Sequence, residues 1–349
     1  MKVTIDISPT KTGHSVRGIG SYTKYLVEEL KKREFKNIEF KFFESPTSPP
    51  PVDVIHYPYF DLFFHTLPIK KKTSRVVTIH DVIPLVFPKH FPSGIKGNIN
   101  LLLQKQALKN VDAIICDSNT SKKDIIEILA IPEDKIHVIY LAPSSKFKPI
   151  SDSNLLSHIA EKYKLPQKFV LYVGDVNWSK NIPNLLRAIS KLNINLVMVG
   201  KALVNKSLIE VQEINKIIDE LNIKNKIIKT GFVENEELVA IYNLASVTVL
   251  PSYYEGFGLP ALESMACGTP IICSSTSSLL EIAKEIGIFF DPRTPDNIAT
   301  AIKKLLSMTS EEEQQLRERS LRHAAQFSWS KVAKETVDVY KMTFESNKL

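Results

Sequence analysis

Residues 247–276 read V-T-V-L-P-S-Y-Y-E-G-F-G-L-P-A-L-E-S-M-A-C-G-T-P-I-I-C-S-S-T, and they constrain the fold more than any other stretch of the 349-residue chain. The apolar run Val247 to Leu250 has the length and content of a buried strand. A loop with Glu255, Gly256 and Gly258 follows. Pro260 suits the first turn of a helix, where a missing N–H costs little. That helix runs to about Cys267 and stops at Gly268, a residue type that commonly follows a helix end. Pro270 to Cys273 is the next apolar run and the next strand. Strand, glycine loop, helix and strand form the repeating unit of an open α/β sheet, where ligands bind outside the carboxyl ends of the strands. A helix N-terminus at that edge offers unpaired N–H groups to an anion such as a phosphate.

Two carboxylates frame the loop. Glu255 lies in it and Glu263 lies on the helix, eight positions later. Carboxylates accept hydrogen bonds from hydroxyl groups, so the ligand this pair suits is a polyol that carries phosphate. The plainer reading makes Glu255 a solvated loop charge and Glu263 an exposed helix charge. The glycines between them and the strand–loop–helix setting favour the first.

The amino-terminal half alternates strand, turn and helix signals in the same way. Val3 to Ile7 reads as a strand. A loop with Gly13, Gly18 and Gly20 follows, and then a helix from about Ser21, its cap, to Lys32. R-G-I-G-S-Y at 17–22 is not the dinucleotide fingerprint G-x-G-x-x-G, because Lys24 lacks the glycine that pattern needs. Its glycines permit close backbone approach to a ligand, or only a tight turn. Residues 44–52 are proline-rich and exclude helix or central strand. Val52 to Tyr57 is a strand. The aromatic segment after it, with His65, is either an acceptor-binding loop or a packed surface loop. Val76 to Ile79 is a strand that ends at His80-Asp81, where α/β sites gather. A histidine there can relay a proton or simply close the strand. Asp112 to Ser118 is a further strand, with a cap at Ser118 or Thr120 for the helix to Leu129, and Ile136 to Tyr140 is the last strand of this half.

The composition of 143–154 is that of a linker, which puts a domain boundary near residue 150. Beyond it, Phe169 to Val173 is a strand that ends at Gly174. Lys180 and Asn181 then precede a helix from Ile182, with Pro183 in its first turn. A lysine at such a place suits a diphosphate, although surface lysines are common. Asn195 to Gly200 is a strand followed by Lys201, which lies near a nucleotide or faces solvent. Ile227 to Gly231 is the next strand and leads into Phe232 and Val233. Helices follow at 236–244, 295–307, 310–327 and 331–344, the last capped at Ser328-Trp329-Ser330.

Length suggests two domains. No run of about 18 apolar residues occurs, and the first residues form a strand pattern rather than a signal peptide. Cys116, Cys267 and Cys273 lie in apolar segments, an odd set without C-x-x-C spacing. That argues against a disulfide framework or a zinc site and points to the cytoplasm. Net charge is +7, with basic clusters at Lys31-Lys32-Arg33 and Lys70-Lys71-Lys72. These form a solvated basic face or attract anionic lipid at the inner face of a membrane. Nucleic acid is excluded as the favoured partner, since no recognition motif accompanies the spread of charge.

The segment E-G-F-G-L-P-A-L-E-S-M-A-C-G-T-P closely resembles the donor-site signature of the retaining GT-B glycosyltransferases, family 4, group 1. That family includes mannosyl-, glucosyl- and rhamnosyltransferases. The likeness continues through Ser277, Ser278, Glu281 and Phe289 to Pro292, and covers most of the chain. It implies an α/β GT-B fold of two Rossmann-like domains whose parallel sheets face a central cleft. Residues 1–150 would bind the acceptor and 151–330 the nucleotide sugar, with 331–349 a helix that crosses back. By resemblance, Glu255 contacts sugar hydroxyls and Glu263 holds the ribose. Gly256, Phe257, Gly258 and Leu259 offer backbone amides to the diphosphate or sugar. His80 meets the transferred sugar with Asp81 beside it, and Lys180 meets the diphosphate. Gly18, Gly20, Gly174, Asn181, Gly200, Lys201, Phe232 and Val233 complete the donor site. Arg17 is a candidate phosphate partner and, with His65, belongs to the acceptor side. Ser179 stands where the family often has arginine, and Asp175 also departs from its usage.

The resemblance implies transfer of a hexose with retention at the anomeric carbon, without metal ion or cofactor. Mannose from GDP-mannose is the preferred donor, with UDP- or dTDP-sugars as others. The acceptor is a glycan or lipid-linked diphosphate, in surface polysaccharide or glycolipid synthesis. Three other readings stay open. A dinucleotide-dependent oxidoreductase is disfavoured by the missing fingerprint. A catalytically silent glycan-binding or scaffolding subunit would bind donor without transfer. A nucleotide-sugar epimerase of the same fold would consume donor without acceptor.

Overall fold

The computed structural model describes residues 1–11, 18–44 and 51–347. It divides into two compact units, Met1–Ala142 with Ser328–Leu349, and Pro143–Phe327. The first unit holds a six-stranded, wholly parallel sheet in the order β2-β1-β3-β4-β5-β6. Its strands are β1 (Lys2–Asp6), β2 (Glu39–Phe43), β3 (Val54–Tyr57), β4 (Ser74–Thr78), β5 (Ala113–Cys116) and β6 (Ile136–Val138). The central strands β3, β4 and β5 are buried along their whole length. Cover on both faces is what makes parallel strands read as unbroken apolar runs. β2 escaped the sequence reading because it is an edge strand, with charged Glu39 and Lys41 alternating with Phe40 and Phe42.

The helices of this unit are α1 (Gly18–Lys32), α2 (Ile83–Val86), α3 (Gly94–Leu108) and α4 (Asn119–Leu129). α1 starts three residues before the expected cap, so Gly18 and Gly20 lie in its first turn and not in a loop, and Ser21 caps nothing. The apolar stripe of Tyr22, Leu26 and Leu30 draws the helix onto the sheet. The Thr23 hydroxyl donates back to the Ile19 carbonyl, as hydroxyl side chains inside helices do. Ser118 caps α4, accepting from the Ser121 N–H at 3.0 Å.

The second unit has the strand order β12-β11-β10-β7-β8-β9, again wholly parallel. Its strands are β7 (Phe169–Val173), β8 (Asn195–Val199), β9 (Ile227–Gly231), β10 (Val247–Leu250), β11 (Ile271–Ser274) and β12 (Ile288–Phe290). Helices α5 (Ser153–Lys162), α6 (Ile182–Ser190), α7 (Ile209–Glu220), α8 (Asn235–Leu244), α9 (Leu259–Ala266), α10 (Leu279–Ala283), α11 (Pro295–Leu306) and α12 (Ser310–Ala324) cover it. The division falls at 142/143 rather than near 150. Residues 143–154, read as linker, belong to this unit: Phe147 is buried in its core and Asp152 caps α5. Polar composition hid one apolar anchor and one cap.

The last helix, α13 (Trp329–Ser346), packs on α1 and β4 of the first unit. Trp329 is buried with its ring centroid 5.2 Å from Tyr25 and 6.0 Å from Tyr22. Tyr340 OH bonds to Nδ1 of buried His56 at 2.7 Å, and burial lowers the pKa of that histidine to about 3.

In each sheet the strand order reverses once, between β1 and β3 and between β7 and β10. Loops leaving the carboxyl ends of strands at such a switch diverge and leave a crevice.

Candidate active site

In the second unit, Lys180 comes from the loop after β7 and Glu255 from the loop after β10, the two strands at the switch. Lys180 Nζ donates to Oε1 of Glu255 at 2.7 Å and to Oε2 at 2.8 Å. Oε1 also accepts from Ser252 Oγ at 2.6 Å. The Glu255 N–H donates to Ser277 Oγ, and Ser278 Oγ donates to the carbonyls of Glu255 and Phe257. A carboxylate that is 8 % exposed is thus held from its side chain and its backbone. An ammonium has three N–H donors and a carboxylate about four acceptor positions, so each keeps capacity for a ligand.

Asn181, next to Lys180, holds the two loops together. Its Nδ2 donates to the Pro251 and Pro292 carbonyls at 2.9 Å each, while its buried Oδ1 has no partner among the described residues. Ser179 is buried, and its hydroxyl donates to Asn177. No cation stands at that position. Asp175 turns its carboxylate to the Val176 N–H.

The edge of this sheet is built for close backbone approach. Gly174 follows β7 and Gly200 follows β8. A Cβ on Gly200 would stand 2.1 Å from the Gly174 carbonyl oxygen. Gly258 starts α9 at φ 94°, where a Cβ would also meet Leu279 at 2.6 Å. α9 then begins with Leu259 and Pro260. Pro260 has no N–H and the Ala261 N–H donates to the Gly258 carbonyl at 2.9 Å, which leaves the Leu259 N–H as the amide at the helix start. Phe257 is buried and Gly256 lies beside it.

Glu263 sits one turn into α9 and accepts from Tyr242 OH at 2.9 Å. Burial of its carboxyl outweighs that hydrogen bond and raises its pKa to about 7. A carboxyl so placed gains from a hydroxyl donor that completes its hydrogen bonding.

In the first unit the polar centre is His80, just past β4. Nδ1 lies 2.6 Å from Asp117 Oδ2 and Nε2 lies 3.2 Å from the Pro58 carbonyl. Tyr22 stands edge-on to the ring at 4.8 Å. Burial favours the neutral ring, but the charge and hydrogen bond of Asp117, with Asp81 and the Pro58 carbonyl, outweigh it and raise the pKa. Asp81 accepts from the Ile83 N–H, the first of α2, at 3.0 Å. Asp117 is 3 % exposed and its Oδ1 has no partner among the described residues.

Sequence reasoning missed Asp117, which follows the strand beside β4; its place after the apolar run A-I-I-C was the available signal. It also missed Ser252, Tyr242 and the brace of Ser277 and Ser278 under Glu255. Arg17 and Gly13 lie outside the described residues. His65 is exposed on the loop after β3. That loop is pinned by the Asp61 carboxylate, which accepts from the Phe63 and Phe64 N–H groups, and by Gln104. Lys201 is exposed after Gly200 and Phe232 is half-exposed, whereas the Val233 side chain is packed in the core of its unit. Among the described residues no group of three His, Cys, Asp or Glu side chains could hold a metal ion.

A two-unit chain of parallel sheets, with lysine and glutamate at one switch and histidine at a strand end of the other unit, has the architecture of a GT-B glycosyltransferase. Comparison with known proteins agrees. Residues 157–323 match the model of "Glycosyl transferases group 1" and residues 41–142 that of "Glycosyltransferase Family 4". The O-antigen chain mannosyltransferase B of Escherichia coli is 32 % identical over 269 residues, 76 % of this chain and 70 % of that protein. Sucrose-phosphate synthase from Thermosynechococcus elongatus superposes with TM-score 0.79 at 20 % identity, over 99 % of this chain and 100 % of that one. HepE from Anabaena, in complex with UDP-glucose, superposes with TM-score 0.75 at 15 % identity, over 98 % and 100 %. The chain belongs to the family 4, group 1 glycosyltransferases and is a transferase of the GT-B fold.

Proposed function

We propose that the chain transfers a hexose from a nucleotide sugar to a hydroxyl of a glycan or lipid-linked acceptor, with retention at the anomeric carbon. The Lys180–Glu255 pair at the switch of the second sheet carries the reading. The remaining N–H of Lys180 and the Leu259 N–H at the start of α9 meet the diphosphate, and the remaining acceptor positions of Glu255 take sugar hydroxyls. Glu263 takes a ribose hydroxyl. The bond between the anomeric carbon and the phosphate oxygen breaks, and the acceptor oxygen bonds to the same face. Its proton passes to the departing phosphate oxygen. Lys180 stabilises the charge on that leaving group. His80, held by Asp117, is the polar group that the first unit offers to a sugar. Mannose from GDP-mannose is the preferred donor, supported by the mannosyltransferase relative; the UDP-glucose complex of HepE supports a uridine donor. Surface polysaccharide or glycolipid synthesis is the setting.

A thermal-shift panel of GDP, UDP, dTDP and ADP, each with and without its sugar, tests this on wild type and Glu263→Ala. Binding to the folded state raises Tm. One nucleotide should stabilise the wild type and fail on the variant. Stabilisation by none of them, or equal stabilisation of both proteins, would sink the donor site. Donor binding without product from any acceptor would mark a binding subunit instead.

A further inference from the structure

α3 carries apolar side chains on both faces. Ala107 and Leu108 are buried against the sheet with Gly97 and Gln104. On the opposite face, Ile95, Ile99 and Leu102 follow at i, i+4 and i+7 and are 84, 54 and 69 % exposed, with Leu103 at 40 % beside them. A helix apolar all round is normally buried on all sides. Phe64, 68 % exposed, stands on the loop that packs here, where Asn100 Nδ2 donates to the Phe63 carbonyl at 2.8 Å. This is a patch rather than a scatter of surface apolar residues.

Along α3 and the segments that flank it in sequence the charge has one sign; the Asp61 carboxylate in the Phe64 loop is engaged by the Phe63 and Phe64 N–H groups. From Val82 to Val111 the sequence has no Asp or Glu, and it has Lys89, Lys96, Lys105 and Lys109. Lys89, Lys96 and Lys109 are exposed and none has a carboxylate partner among the described residues. Lys109 continues the stripe of Leu102 at i+7. Of the basic clusters singled out in the sequence, Lys71 pairs with Asp112, and Lys32 and Arg33 pair with Glu29. A second copy fits this face poorly, because two-fold pairing of α3 would set lysine against lysine with no carboxylate on the helix to match them. An anionic bilayer does fit. Its hydrocarbon takes the apolar stripe, and the lysines reach its head groups.

We propose that the outer face of α3, with Phe64 beside it, docks on an anionic lipid surface. The docking goes beyond the donor reading and does not depend on it, since it needs no sugar.

The probe is co-sedimentation with phosphatidylcholine vesicles, with and without phosphatidylglycerol, at low and high salt. Wild type should bind the anionic vesicles, and high salt should weaken the binding. Ile99→Asn combined with Leu102→Gln should lower partitioning by roughly tenfold per side chain, with Tm unchanged because both residues are exposed. Lys96→Glu combined with Lys109→Glu should remove the preference for phosphatidylglycerol. A separate Leu102→Trp protein, free of the folding question, should show a blue shift of its emission when anionic vesicles are added. Failure of wild type to bind, equal binding by the double variants, or no blue shift would each overturn the proposal. So would a wild-type dimer in solution that the Ile99 and Leu102 substitutions dissociate. Nucleotide stabilisation measured on the same proteins stays as in wild type whichever way the vesicles decide.

Discussion

The two sheets have six parallel strands each and one reversal of strand order each, yet their carboxyl edges are made differently. In the second unit the edge is backbone. Gly174, Gly200 and Gly258 leave no room for side chains, and the two charged groups come from loops on either side of the switch. In the first unit the edge is side chain. His80, Asp117 and Tyr22 converge after neighbouring strands and a facing helix. A bare backbone edge suits a phosphate, which N–H groups can surround. A side-chain edge suits a group whose protonation can change.

The largest effect that would break this comparison is loss of the second unit's charge pair. Glu255→Ala should cut transfer by roughly 10³-fold and leave Lys180 without its partner. Full activity in a product assay would remove Glu255 from the site. Next comes the first unit. His80→Ala should cost roughly 10²-fold, and Asp117→Asn less. The pH profile separates positioning from packing. The folded-state pKa of His80 is raised, so the stability its pair with Asp117 contributes is fully present below its usual 6.5 and is lost as pH rises through the raised value. In Asp117→Asn that loss should move to lower pH, followed as Tm against pH. An unmoved profile would mean that Asp117 does not hold the ring.

Glu263 gives the third contrast, because function and stability oppose each other there. Its pKa is raised from 4.5 to about 7, so its contribution to stability is present below 4.5 and lost as pH rises through 7. Glu263→Gln should flatten that loss, worth up to about 3 kcal/mol, while nucleotide no longer raises Tm. A variant that loses stability and keeps nucleotide binding would contradict both parts. The smallest effects belong to the glycines. Gly200→Ala should cost about 1–3 kcal/mol through its clash with the Gly174 carbonyl. Gly18→Ala meets nothing within 4 Å and should raise stability by about 0.5 kcal/mol. Urea melts of both would show whether the edges differ as described.

The second unit was the more legible of the two in sequence. Strand, loop and helix from Val247 to Ser274 appear within a residue of their expected bounds, because each signal is local: an apolar run, a proline in a first turn, a glycine after a helix. β2 was missed because an edge strand keeps charged residues outward. The early start of α1 was missed because glycines read as loop when the stripe that recruits them lies further along the chain. α3 gave no periodic signal because both of its faces are apolar.

The sequence by itself determined the family, the parallel α/β architecture and the positions where backbone must pass close to backbone. These follow from neighbouring residues along the chain. Only the tertiary structure decided the partners: Glu255 for Lys180, 75 residues away, and Asp117 for His80, 37 residues away. It also decided that residues 143–154 belong to the second unit and that Ile95, Ile99 and Leu102 stay uncovered. A contact between distant segments depends on where the sheet brings strand ends together, and exposure depends on what the rest of the fold fails to cover. Neither is written in the residues on either side.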